Sequence, residues 1–260
     1  MTARGAAAAL ALTLVATGCA GGSGPSEPPP AEVVTTAQRA IRDAGAGHVT
    51  AHQLGRGRGE AIATWESNYD LRRRLWNAVL VTDEDGESGR TMFVGAGTRT
   101  YLRPADERDR MSDRWASYED PRLGAGTQPH LAAVLAFRPG GAMHREPDGW
   151  SVDGTVPMRV ALVAVGVVWA GTPLRNKLVE AATGTAPATL VLGPDRRIRE
   201  LRMHGGAFDV TSLVARETRT ALAAASVTID VSRVGGDVAL EEAPPAAEVD
   251  KAELWLEEKA

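Results

Sequence analysis

From His48 onward the chain keeps returning to one pattern, a short run of apolar or alternating residues followed by a tight-turn signature. His48 to Leu54, Gly59 to Ser67, Leu71 to Thr82, Arg90 to Val94 and Thr98 to Arg103 read as strands, with Asp83-Glu84-Asp85-Gly86 and Gly95-Ala96-Gly97 as hairpin turns. Strands resume at Ala142 to Arg145 and Gly149 to Val152 around Pro147-Asp148. Ala188 to Leu192 and Arg196 to His204 flank Gly193-Pro194-Asp195, where proline presets the first turn position. Ser226 to Val234 and Val238 to Glu241 form a last pair across Gly235-Gly236. Strands joined by connections this short must run antiparallel.

Helical spacing interrupts the strands. Thr35 to Ala44 places Ala37, Ala40, Ile41 and Ala44 on one side, and Gly45 to Gly47 stops it. Thr127 to Phe137 carries Leu131, Val134, Leu135 and Phe137 and ends at Pro139-Gly140-Gly141; Thr172 to Ala182 offers a third helix, and a short charged helix follows Pro244-Pro245. There is no βαβ rhythm and no repeat of fixed period. The expected fold is therefore α+β: one strongly curved antiparallel sheet, a half-barrel of about eight to eleven strands, with the helices near 35–44 and 127–137 packed on its concave face.

Cys19 is the sole cysteine, so the core forms without disulfides. It ends an apolar run of about a dozen residues behind Arg4, with a small-residue exit, as in a secretory signal peptide. The run is too short to span a bilayer. Ala16-Thr17-Gly18-Cys19 looks like a bacterial lipobox, in which the cysteine sulfur receives a diacylglyceryl group. The competing reading is a chance thiol in an export signal cut elsewhere, which would leave an unpaired cysteine in an exported chain. Gly, Ser and Pro dominate the segment after Cys19, which is too poor in large apolar residues to fold. The expected organisation is a lipoprotein signal peptide at 1–18, a lipidated cysteine and disordered tether at 19–32, one domain at 33–245 and a tail or short helix at 246–260. Such a protein would sit on the outer face of a cell membrane, held by acyl chains.

Lys and Arg number 29 against 33 Asp and Glu, a net charge of −4, and no basic stripe with interleaved aromatics points to nucleic acid. Chemistry-bearing motifs are sparse. His48 and His52 share a strand face at a distance of about 13 Å, too far for one ion, and no zinc or calcium spacing occurs. No Gly-x-Ser-x-Gly elbow is present. Gly55-Arg56-Gly57-Arg58-Gly59 lacks the ending of a phosphate loop and reads as a turn; His130, His144 and His204 read as surface or satisfied core residues. The expectation is a protein that is not an enzyme and carries neither metal nor cofactor. Met158 to Trp169 is apolar on both alternating faces and reads as a central strand, buried on both sides or lining an apolar cavity on one. The six tryptophans, Trp65, Trp76, Trp115, Trp150, Trp169 and Trp255, read first as core.

The order of motifs resembles actinobacterial lipoproteins of LolA-like or LprG type. The resemblance rests on the lipobox and tether, Val94-Gly95 leading to Tyr101-Leu102, Asp113-Arg114-Trp115, Gly149-Trp150-Ser151-Val152-Asp153-Gly154, Leu190 to Leu201 and Val227 to Pro245. It implies a curved sheet enclosing a hydrophobic cavity, and hence a protein that binds or carries a lipid or lipid-like hydrophobic small molecule without catalysis. The expected lining is Trp76, Leu80, Phe93, Leu131, Leu135, Val160, Leu162 and Leu192. The strand after Val152-Asp153-Gly154 departs from the pattern, as does a helix-prone insert at Leu213 to Ala224; either would narrow or cap a cavity. A member with a filled interior would instead be an envelope scaffold or sensory module with a protein partner.

Overall fold

The computed structural model describes residues 28–54, 61–84, 87–105, 114–119, 127–165, 182–208 and 226–251. The expected helix at Thr172 to Ala182, the Gly55 to Gly59 turn, the Leu213 to Ala224 insert and Cys19 lie wholly or almost wholly outside them.

The chain starts with α1 (Pro30–Ala44), then runs through β1 (Ala46–Leu54), β2 (Ala61–Asp70), β3 (Leu75–Glu84), β4 (Glu87–Ala96), β5 (Arg99–Pro104) and β6 (Trp115–Glu119). After α2 (Pro129–Ala136) come β7 (Arg138–Glu146), β8 (Gly149–Pro157), α3 (Met158–Ala164), β9 (Thr185–Leu192), β10 (Ile198–His204), β11 (Ser226–Ser232) and β12 (Val249–Lys251). All twelve strands form one curved, unclosed sheet in the order β12-β6-β5-β4-β3-β2-β1-β11-β10-β9-β8-β7. The first strand sits in the middle, because β1 pairs antiparallel with both β2 and β11; Ala51, for example, lies opposite both Trp65 and Ile229. Two meanders spread outward from that seam.

Most strands follow the sequence signals, with shifted ends. Leu71 to Arg74 form a turn rather than the start of β3, since the Asp70 carboxylate accepts from the Arg72 and Arg73 amides, and Arg74 takes φ 53°. This is the local side chain to backbone bonding that makes aspartate a turn residue. The β4–β5 turn places Gly97 at φ 60°, and the β9–β10 turn closes through Gly193 N to Arg197 O at 2.8 Å.

The sheet exceeds the expected eight to eleven strands because the chain also contributes β6 and β12. Three expectations are corrected. Met158 to Ala164 is a helix, not a central strand. Pro157 ends β8 at φ −51°, a value suited to entering a helix, and all of the short helix except the exposed Arg159 and half-buried Val160 is buried. Helix α1 begins at Pro30, inside the stretch read as tether, with proline in its first turn. Val238 to Glu241 is not a strand, so β11 has no hairpin mate after Gly235-Gly236. Residues 233–248 instead form an irregular strap, in which Ala239 O accepts from Asn68 Nδ2 at 3.1 Å and Glu242 meets Arg73 at 3.4 Å. The strap ends in a short 3-10 helix at Ala246–Glu248 and leads to β12, which pairs parallel with β6; the rest of the stretch read as a tail or short helix, residues 252–260, lies outside the described residues.

The helices pack chiefly on one half of the sheet: α1 on β7, β1 and β10, α2 on β8, β1 and β11, and α3 on β8, β9 and α2. Gln38 fastens α1 to the end of α2, donating through Nε2 to Val134 O at 3.0 Å and Phe137 O at 2.9 Å. Arg42 adds a bond to Leu135 O at 3.1 Å. These contacts satisfy carbonyls that a helix C-terminus leaves without intrahelical donors.

Candidate functional site

The alternation of burial along the strands defines two faces. One carries Val49, Ala51, Trp65, Ile229, Leu201, Leu190 and Val152 in register across six strands, and these residues join the helices in one hydrophobic cluster. Farther along the sheet the same face continues through Trp76, Ala78 and Leu80 of β3, Phe93 of β4, Leu102 of β5 and Ala116 of β6.

The eight residues expected to line an apolar site all belong to this region. Trp76, Leu80, Phe93 and Leu192 lie on the face of their strands that carries the hydrophobic cluster. Trp76, Phe93, Leu131, Leu162 and Leu192 are buried in the cluster, whereas Leu80, Leu135 and Val160 are partly buried against it. Leu162 and Val160 reach the region from α3, not from a strand. Trp65 tilts against Phe93 with ring centroids 4.9 Å apart. Trp65, Trp76 and Trp115 are buried and Trp150 is partly so; Trp169 and Trp255 fall outside the described residues.

Two close approaches lie in one row across β1 to β4, where Gly47 pairs with Tyr69, Tyr69 with Trp76 and Trp76 with Gly95. A Cβ at Gly95 would lie 1.9 Å from the Trp76 Nε1, and one at Gly47 would lie 2.6 Å from the Tyr69 hydroxyl. Each glycine thus gives up its side-chain space to an aromatic ring from the neighbouring strand. The Tyr69 hydroxyl is buried without a hydrogen-bond partner, and burial pushes its pKa up to about 12.

A polar chain crosses the apolar interior. Gln128, buried just before α2, accepts at Oε1 from Leu131 N at 2.7 Å. Its Nε2 donates to Ser67 Oγ of β2 at 3.1 Å and to His130 Nδ1 at 2.8 Å. The other side of the imidazole bonds to the backbone of Ala164 at the end of α3. With Nδ1 accepting, Nε2 carries the proton and donates, so a neutral ring satisfies both contacts. Desolvation drives the His130 pKa down to about 3, and the bond to Ala164 offsets only some of that fall. His130 is therefore a satisfied core histidine tying β2, α2 and α3 together. His48 and His52 bond to Asn68 and Thr64 on the polar face of the sheet. Among the described residues, no group of three or more His, Cys, Asp or Glu is placed to hold a metal ion. Nor is any helix there long and apolar enough to cross a membrane.

The described residues thus bring together an apolar sheet face, helices pinned to part of it, and an internal polar tie. No family model matches the chain, and no curated protein matches it. Among solved structures it is similar to an uncharacterized conserved protein from Thermus thermophilus, at TM-score 0.40 and 11% identity over 84% of this chain and 98% of that one. It is also similar to a LolA superfamily protein from Nitrosomonas europaea, at TM-score 0.27 and 6% identity over 84% and 96% of the two chains. Both likenesses are too distant to place the chain in a family.

Proposed function

We propose that this protein is a membrane-tethered lipoprotein that binds or carries a lipid or lipid-like hydrophobic molecule at the outer face of the cell membrane, without catalysis. The observation that carries this reading is the reach of the apolar sheet face. It continues past the strands on which the helices chiefly pack, through the buried Trp76 and Phe93, to Leu80 of β3 and Leu102 of β5. Leu80 and Leu102 are only partly buried there. Acyl chains laid on such a surface gain about 25 cal/mol per Å² of apolar area removed from water. The lipobox-like Ala16-Thr17-Gly18-Cys19 supplies the tether in this reading, holding the domain beside its source of lipid.

A second reading has its own support. Leu131, Leu162 and Leu192 retain no exposed surface and pack in the same cluster. An interior filled in this way suits an envelope scaffold that meets a protein partner and takes no lipid.

Mass spectrometry of organic extracts from the purified protein separates the two. An acylated species at near one per chain is the expected result; extracts free of lipid from several preparations overturn the carrier reading. The anchor is tested apart from the ligand. Cys19→Ala should release the protein from the membrane fraction or leave unprocessed precursor, and normal processing with unchanged attachment would falsify it.

A further inference from the structure

The polar face of the sheet holds a cleft of about 430 Å³, walled by Glu146, Arg199, Glu200, Arg202, Asp230 and Ser232. These strand positions alternate with Leu201, Met203, Ile229 and Val231 of the core, so the cleft opens away from the helices. A bulge shapes it. Ile198 pairs with Leu192 and Glu200 with Val191, which leaves Arg199 as an extra residue in β10. Arg199 and Glu200 therefore both turn to the polar face before Leu201 returns to the core. Bulges of this kind re-aim side chains and gather beside functional sites.

The charges in the cleft are unevenly matched. Glu200 accepts from the Arg202 guanidinium through Nε and through Nη2, and Glu146 accepts from Ser151 Oγ at 2.8 Å. Asp230 is partly buried on β11 and accepts no hydrogen bond from the described residues. Loss of water and then the nearby charge of Glu200 raise its pKa, while His52, Arg202 and Arg199 pull the other way. Arg199 is exposed and makes no ion pair among the described residues. Asp230 and Arg199 thus face the same space among charged neighbours, without a side-chain hydrogen bond or ion pair of their own among the described residues, and Asp148 adds a further negative charge at the rim.

We propose that this cleft binds a small polar zwitterion, its primary ammonium on Asp230 and its anionic group on Arg199. The volume falls within the range of about 300 to 1,000 Å³ usual for small-molecule sites, and its lining mixes four carboxylates and two guanidinium groups with the apolar Pro147, Val191 and Val231. A simple cation would leave Arg199 unanswered, and a simple anion would meet the carboxylate excess. The site is independent of the lipid reading, since it lies on the opposite face of the sheet. The shared chemistry has two sources, a free amino-terminal peptide fragment and an ethanolamine phosphate head group.

Calorimetric or NMR titration of the full chain with L-alanyl-L-alanine and with phosphoethanolamine tests the proposal and distinguishes the sources, with putrescine and acetate as single-charge probes. Saturable binding of at least one zwitterion is expected, at least ten-fold tighter than either single-charge probe. Asp230→Asn and Arg199→Gln should each weaken it at least ten-fold, and Glu66→Gln, elsewhere on the polar face, should leave it unchanged. The exposed Arg199 is replaceable without disturbing the fold, and Asp230→Asn removes a contact between like charges. Binding of neither zwitterion at millimolar concentration, equal binding of putrescine, or affinity unmoved in both variants overturns the assignment.

Discussion

Protonating His130 in the folded protein would place a charge in the core and break the Gln128 contact at Nδ1. The folded pKa of about 3 lies below the ordinary value of 6.5, so the unfolded chain binds a proton that the folded chain refuses. The stability this residue confers is present above pH 6.5 and is lost as pH falls toward 3. The slope approaches about 1.4 kcal/mol per pH unit. Urea melts at pH 7 and pH 5 should therefore show an acid loss of roughly 2 kcal/mol from this group, and His130→Gln should lack that component while being less stable at pH 7. Equal acid sensitivity in both proteins would assign the loss to surface carboxylates. The sequence allowed His130 to be a satisfied core residue, and Gln128 stands two positions away. Ser67 and Ala164 were not legible as partners, because no local pattern links residues that meet only when β2, α2 and α3 assemble. The unpartnered hydroxyl of Tyr69 escaped for the same reason.

Helix α3 shows what happens to a segment that is apolar at every position but one, the exposed Arg159. A run such as Met158 to Val165 fits a doubly buried strand and a buried helix equally well, since periodicity distinguishes them only when one face is wet. Pro157 held the missing information, as a strand ending and helix opening in one residue. Helix α2 was legible in position, and what holds its end was not. Its last carbonyls are satisfied from α1 by Gln38, at a sequence separation of 96 and 99 residues. Gln38→Leu keeps the approximate volume and removes both donors, stranding two buried acceptors at a cost of about 2 to 4 kcal/mol, taking 1 to 3 for each group with some relaxation. Hydrogen exchange should then accelerate in α2 before it does in β8 to β10. Uniform acceleration across the molecule would mean that Gln38 stabilises the whole fold rather than this junction.

At the scale of the molecule, alternation and turns revealed a large antiparallel sheet, whereas the facing of Trp76, Leu80, Phe93 and Leu192 hung on a register that a one-residue slip would have inverted. The β1–β11 seam and the strap to β12 were hidden, since each joins segments far apart in sequence with no turn to announce the pairing. The strap has to pass seven interstrand spacings, about 34 Å, and its backbone is mostly exposed, so it carries little hydrophobic signal. The same long-range organisation decides between a carrier and a filled scaffold, and volume is the means of asking. Leu162 has no exposed surface and lies between α2 and the β8–β9 strands, so Leu162→Trp must force side chains from their rotamers, at about 1 to 3 kcal/mol or more. Leu80 sits where the apolar face has outrun the principal helix contacts and is only partly buried. Leu80→Trp should therefore leave the thermal midpoint nearly unchanged while lowering the amount of lipid that co-purifies, because the added ring takes space a ligand would use. Paired melts and lipid extractions read both effects. If Leu162→Trp folds normally, the interior beneath the helices has room that the packing does not suggest. If Leu80→Trp unfolds the protein and the wild type yields no lipid, the β3–β5 sector is ordinary core and the scaffold reading prevails.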